Sequence, residues 1–197
     1  MAITAADVKV LRDRTGAGML ECRNALTEAG GDVEAAIDLL RAKGAAKAAK
    51  RAGRETREGA IGSYIHMGGK IGVLVEVNCE TDFVARTEEF QSLVRDIAMH
   101  VAASAPLAIS AEEIPQDVLE RERAVYAEQV KSESKPDNIR DKIVQGKMQR
   151  FYKDSALLDQ PFVREPDKTV REVVTAVSAK TGENITIRRF ARYALGE

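Results

Sequence analysis

The chain has 197 residues, 44% hydrophobic and 31% charged, with a formal net charge of −1. That is enough apolar material for a real core, in one moderate domain or in a small module joined to a larger one. The near-neutral balance excludes global electrostatic attraction to nucleic acid or an anionic membrane, so any such binding needs a local patch.

Two cysteines, Cys22 and Cys79, stand without a CxxC pair. They fit a reducing cytoplasm better than a disulfide framework. The N-terminal "MAITAADVKVLRDR" has no apolar signal core, and no run approaches the ~20 apolar residues of a bilayer span. The expectation is a cytoplasmic protein with no membrane partner.

From the N-terminus, Thr4 is placed to cap a first helix, with Asp7 in capping-box position and Val8 and Leu11 on one face. "TGAG" breaks it. "LECRNALTEAGGD" predicts a second short helix, ended by Gly30 and Gly31, and Asp32 caps a third. That third helix sets Ala36, Leu39 and Leu40 on one side and is expected to stop at Gly44. Residues 1–44 therefore read as a compact three-helix module, small for a core of its own.

Residues 45–58 follow as a basic helical linker carrying Lys47, Lys50, Arg51, Arg54 and Arg57. Two readings compete: an RNA-binding arm, and a solvated connecting helix built from strong helix formers. The second is favoured, because no aromatic residue is interleaved with the bases.

Residues 59–197 read as one α+β domain. "GAIGSYIHMGGKIGVLVEVNC" predicts a hairpin turning at Gly68 and Gly69, with Ile71, Val73, Val75, Val77 and Cys79 on one face. From about Thr87, Phe90, Leu93, Val94, Ile97, Ala98 and Val101 recur at helical spacing. Ser110 suggests a capping box, with Pro115 restarting the helix, which runs to about Lys131. Pro136 opens another helix, with Ile139, Ile143 and Phe151 roughly on one side. Thr169 to Gly182 bound a last helix, and "ENITIRRFARYAL" closes the chain as a third strand. Strands at both ends with helices between imply a mainly antiparallel three-stranded sheet.

No catalytic constellation emerges. His66 and His100 have no ligand spacing with the cysteines, so no metal site is expected. With the hairpin turning at Gly68 and Gly69, His66 lies about 26 Å along the strand from Cys79, at about 3.3 Å per residue, which excludes a nucleophilic pair. "MGGKIG" lacks phosphate-loop spacing and occupies a hairpin turn. In "RRFARY", arginines and aromatics on a strand suit base stacking, yet the glycines of an RNA-recognition strand are missing. A binding protein without cofactor or catalytic site is the better expectation.

"NCETDFVAR" puts a bare phenylalanine beside an aspartate in a connector. From the residues alone, Phe83 either tucks under the following helix or protrudes. This stretch resembles the signature of the elongation factor Ts family, the guanine-nucleotide exchange factors of elongation factor Tu. "RDRTGAGMLECRNALTEAGGDVEAAIDLLRAKG" and "GENITIRRFARYALGE" resemble it too, in family order across nearly the whole chain.

The resemblance implies an N-terminal module of ubiquitin-associated type followed by an α+β core, in a short family form. Longer relatives carry a second core copy and a coiled-coil insertion. It also implies that Thr81, Asp82, Phe83 and Val84 take part in displacing Mg²⁺ from the partner's nucleotide site, with the phenylalanine as a wedge. Arg12 and Met19 match positions that contact the partner's GTPase domain. Leu20 stands where many relatives have a second methionine. The implied partner is elongation factor Tu, with a homodimer expected and no direct nucleic-acid contact. The alternative is a tRNA- or ribosome-binding module using the basic linker and the C-terminal strand.

Overall fold

The computed structural model describes residues 3–131 and 136–197, and the start of the N-terminal module expected at residue 1 lies outside them. Eight α-helices and five strands occur among the described residues. The order is α1 (Ala5–Thr15), α2 (Met19–Glu28), α3 (Val33–Arg51), β1 (Glu58–Ile65), β2 (Ile71–Cys79), α4 (Asp82–Ala85), α5 (Glu88–Ser104), α6 (Gln116–Lys131), α7 (Asp137–Ser155), β3 (Pro161–Phe162), β4 (Glu165–Thr169), α8 (Val170–Thr181) and β5 (Thr186–Ala194). The fold is α+β, with an antiparallel three-stranded sheet in the order β1-β2-β5. None of the described helices is long and apolar enough to cross a membrane.

The chain divides into two compact units, each discontinuous in sequence. The first comprises Met1–Ile61, Glu76–Val94 and Glu172–Thr186. Within it, α1 begins as the sequence predicts: the Thr4 side chain accepts from the Asp7 N–H, and Asp7 accepts from the Thr4 N–H at 2.9 Å. Asp32 caps α3 by accepting from the Ala35 N–H at 3.1 Å. Val8, Leu11, Cys22, Ala25, Leu26 and Ala36 form the buried cluster of this three-helix module.

The expected stop at Gly44 does not occur, and α3 continues to Arg51. The run "AAKAAKR" is made of strong helix formers, so the roughly 1 kcal/mol that one interior glycine costs does not end the helix. The extended helix meets α8. Arg41 pairs with Glu172 at 2.7 Å, the Arg51 guanidinium donates to the Ser178 carbonyl at 2.8 Å, and a Cβ at Gly44 would touch Ala179. The three-helix module thus finds, in α8, the support that its small core lacks.

The second unit comprises Gly62–Val75, Arg95–Arg171 and Ile187–Glu197. The hairpin turns where expected, at Gly68 and Gly69, whose φ angles of 87° and 68° favour glycine. The His66 N–H donates to the Ile71 carbonyl at 2.9 Å to close it. Ile97, Val101, Leu157, Val170 and Phe162 are buried. His100 is fully buried and neutral: Nδ1 accepts from the Val163 N–H at 3.2 Å, leaving Nε2–H to donate to Gln160 Oε1 at 2.9 Å.

Three local expectations change here. Ser110 precedes a three-residue 3-10 turn, Ala111–Glu113, and its hydroxyl donates to the Glu113 carboxylate at 3.4 Å but accepts no backbone N–H, so the full capping box does not form. On α7, Met148 and Ser155 are buried, Ile143 and Phe151 half-buried, and Ile139 is exposed. β3 and β4 pair as a separate antiparallel ribbon, too short to show alternation in the sequence.

Candidate functional site

The Thr81–Val84 segment lies in the first unit, directly after β2. It is not an open loop but a one-turn helix, α4, with Thr81 as its N-cap. Thr81 has extended φ and ψ angles of −129° and 154°, and its Oγ1 accepts from the Val84 N–H at 3.4 Å. Ala85 is buried and anchors the turn. Phe83, two residues earlier, is rotated about 200° from it around the helix axis and so faces the opposite way. The ring is 78% exposed, which settles the first of the two readings: Phe83 does not tuck under α5.

The remaining contacts hold the turn from both ends. On the α5 side, the Thr87 hydroxyl donates to the Val84 carbonyl at 2.8 Å, and the Gln91 amide donates to the Ala85 carbonyl at 2.7 Å. On the β2 side, the Cys79 thiol donates to the Thr81 carbonyl at 3.2 Å. Burial, assisted by the nearby Glu183 carboxylate, pushes the Cys79 thiol up to about 11, so it stays protonated and unreactive. Asp82 pairs with Arg86 at 2.8 Å, but both side chains are well exposed and the pair is worth little.

Two residues of this site escaped the sequence reading. Glu183, in the loop after α8, accepts from the Glu80 and Thr81 N–H groups, both at 3.0 Å, and from the Thr81 hydroxyl at 2.6 Å. Glu80 returns the arrangement, accepting from the Asn184 N–H at 2.6 Å. Arg54 approaches the same carboxylate at 3.4 Å, and Asn184 Nδ2 donates to the Arg54 carbonyl at 2.9 Å. Both glutamates sit inside the quoted motifs, but no local rule pairs positions about a hundred residues apart.

The other predicted residues, Arg12, Met19 and Leu20, lie on the surface of the three-helix module in the same unit. Gly16, with φ of 67°, ends α1, and α2 then begins with Met19 47% exposed and Leu20 69% exposed. Cys22, Ala25 and Leu26 take the inward positions of α2, which leaves Met19 and Leu20 outward at its first turn.

The basic stretch is spent largely on internal partners. Lys47 pairs with Glu21, Arg51 bonds Ser178, Arg54 approaches Glu80, and Arg57 pairs with Glu55. Among the described residues, no three His, Cys, Asp or Glu side chains converge to hold a metal ion.

The family sequence model described as Elongation factor TS matches residues 19–197. A protein of Geotalea uraniireducens named "Elongation factor Ts" is 58% identical over 197 residues, covering 100% of this chain and 91% of the relative. One of Caldanaerobacter subterraneus subsp. tengcongensis, of the same name, is 56% identical over 195 residues, covering 99% and 98%. A third, from Geobacter sulfurreducens, is 54% identical, covering 100% and 91%. With an exposed aromatic on a braced turn and full-length similarity of this order, the chain belongs to the elongation factor Ts family of translation elongation factors.

Proposed function

We propose that the chain is a guanine-nucleotide exchange factor that binds elongation factor Tu in its GDP form, displaces Mg²⁺ and releases GDP so that GTP can bind. The observation that carries this reading is Phe83, a large apolar side chain 78% exposed on a turn braced at both ends. A protein does not gain by holding such a ring rigidly in water, but a rigid exposed ring loses little entropy on entering a partner's pocket.

The mechanism needs no bond chemistry from this chain. GDP is held in the partner by phosphate contacts and Mg²⁺. An exchange factor must bind the nucleotide-free state more tightly than the GDP state, and by linkage it then weakens GDP by the same factor. Phe83 supplies the difference by filling a pocket that opens when the magnesium-binding region moves. Asp82 places a carboxylate beside it, where it disturbs the ligands of the cation. Thr81 and Val84 hold the turn.

Arg12, Met19 and Leu20 give affinity for the GTPase domain without driving release. The division of labour follows three segments: residues 1–44 as the affinity module, 45–58 as the linker and 59–197 as the exchange core. The exchange takes place in the cytoplasm, where the buried free thiols Cys22 and Cys79 stay reduced.

A homodimer fits the exposed apolar residues of the second unit. Ile65, Met67, Leu74, Tyr193 and Leu195 are all at least half exposed, and the Leu195 N–H reaches the Lys70 carbonyl at 2.9 Å. A second copy covering this strand end protects it from wetting and from stray edge pairing.

The test is release of a fluorescent GDP analogue from elongation factor Tu, with excess GDP and a catalytic amount of this chain. Acceleration with turnover is expected. Salt-sensitive tRNA binding without any release would favour the RNA-binding alternative instead.

A further inference from the structure

We propose that Glu183 is the positioning residue of the exchange tip: its carboxylate fixes the Glu80–Thr81 backbone and so sets where Phe83 stands. This rests on the reading of Phe83 as the wedge. The Glu80 and Thr81 N–H groups lie just beyond β2; Glu80 is half-buried, whereas Thr81 is exposed, so water can satisfy the Thr81 donor. For Thr81, a carboxylate from 102 positions away is therefore not required to satisfy the donor. What it adds is geometry, since one carboxylate takes two adjacent N–H donors and the Thr81 hydroxyl at 3.0, 3.0 and 2.6 Å.

The clamp is reciprocal. The Glu80 carboxylate accepts from the Asn184 N–H at 2.6 Å, so each glutamate grips the backbone of the other's segment. Glu183 is itself fixed, because the Ser178 hydroxyl of α8 donates to its carbonyl at 2.5 Å. The same α8 receives Arg41 and Arg51 from α3, and Lys180 lies against Gly16 at the end of α1. One helix thus indexes both the exchange tip and the module bearing Arg12, Met19 and Leu20.

Glu183→Ala, Glu183→Asp and Glu183→Gln separate positioning from simple stability. In Glu183→Gln the amide oxygen still accepts from both N–H groups, and the amide nitrogen donates to the Thr81 oxygen, so the tip keeps its place. Asp is one methylene short of the backbone. Steady-state exchange on elongation factor Tu·GDP should show kcat falling about tenfold or more for Ala and Asp, with KM within about threefold, and Gln within about twofold of wild type.

Phe83→Ala combined with Glu183→Ala should be no slower than Phe83→Ala alone, within about twofold, because both act through one side chain. Amide hydrogen exchange gives a readout independent of the partner. Glu80 and Thr81 should lose protection in Glu183→Ala while Val75 and Val77 keep theirs.

Normal kcat in Glu183→Ala beside an impaired Phe83→Ala overturns the proposal, as does a Gln variant no better than Ala. If Phe83→Ala exchanges normally, the wedge reading fails by itself. Amide protection then decides Glu183: unchanged protection overturns its positioning role, and lost protection upholds it.

Discussion

Replacing Phe83 by Ala should leave the fold intact and cripple exchange. The residue is 78% exposed, so only about one fifth of its surface is shielded in the free chain. Full burial of a phenylalanine is worth about 1.5–3 kcal/mol, which makes the folded-state loss about 0.3–0.6 kcal/mol. Alanine returns up to about 0.5 kcal/mol through its better helix propensity in α4. At this chain length 1 kcal/mol moves Tm by about 2–4 °C, so the net shift should stay under about 2 °C.

In the proposed complex the same ring passes from water into a pocket of the partner, and truncating such an anchor costs about 2–4 kcal/mol. At 1.4 kcal/mol per factor of ten, nucleotide release should slow by about 30-fold to 1,000-fold. Stopped-flow release of a fluorescent GDP analogue and a thermal melt on one preparation check both halves. A variant that exchanges within twofold of wild type would show that Phe83 is not the anchor, and one that melts more than about 6 °C lower would show that it belongs to the core.

The paired variant Met19→Ala with Leu20→Ala should weaken binding to elongation factor Tu by about 10-fold while leaving saturated release near normal, because both side chains are exposed and absent from the module's core; titration calorimetry beside saturated release rates distinguishes this from loss of exchange. Cutting the chain at about residue 50 is the poorer test, since it also strips α8 of Arg41 and Gly44. Burial holds the His100 imidazole below its ordinary 6.5, so the unfolded chain binds the proton first as pH falls through that value. The stability contributed by neutral His100 is complete above pH 6.5 and is lost below it, down to the folded-state pKa. NMR should find this ring unprotonated at pH 6.5, and half protonation there would contradict it. Cys22 and Cys79 are both buried, so a thiol reagent at pH 8 should modify neither in the native chain and both in denaturant; rapid native labelling of Cys79 would mean that the turn opens.

The core was readable where periodicity is strong. Val73, Val75, Val77 and Cys79 alternate inward, and Phe90, Leu93, Val94, Ile97, Ala98 and Val101 are all buried at helical spacing. Caps at Thr4 and Asp32 rest on local chemistry and appear as expected. Gly44 misled, because one glycine competes with seven strong helix formers and with the support of α8. At the candidate site, the motif marked Thr81 to Val84, but only the structure shows Phe83 exposed and Thr81 clamped. Glu183 was illegible for a physical reason: its bonds to Glu80 and Thr81 are purely tertiary, and sequence periodicity carries no trace of them.

Differential binding of the two nucleotide states can be measured without kinetics. Calorimetric titration of this chain into nucleotide-free elongation factor Tu, and separately into the same protein saturated with GDP and Mg²⁺, compares the two affinities directly. Binding to the nucleotide-free form should be tighter by about 100-fold or more, a coupling of about 2.7 kcal/mol. Equal affinities for the two forms would leave nothing to shift the nucleotide equilibrium and would contradict the proposed exchange mechanism.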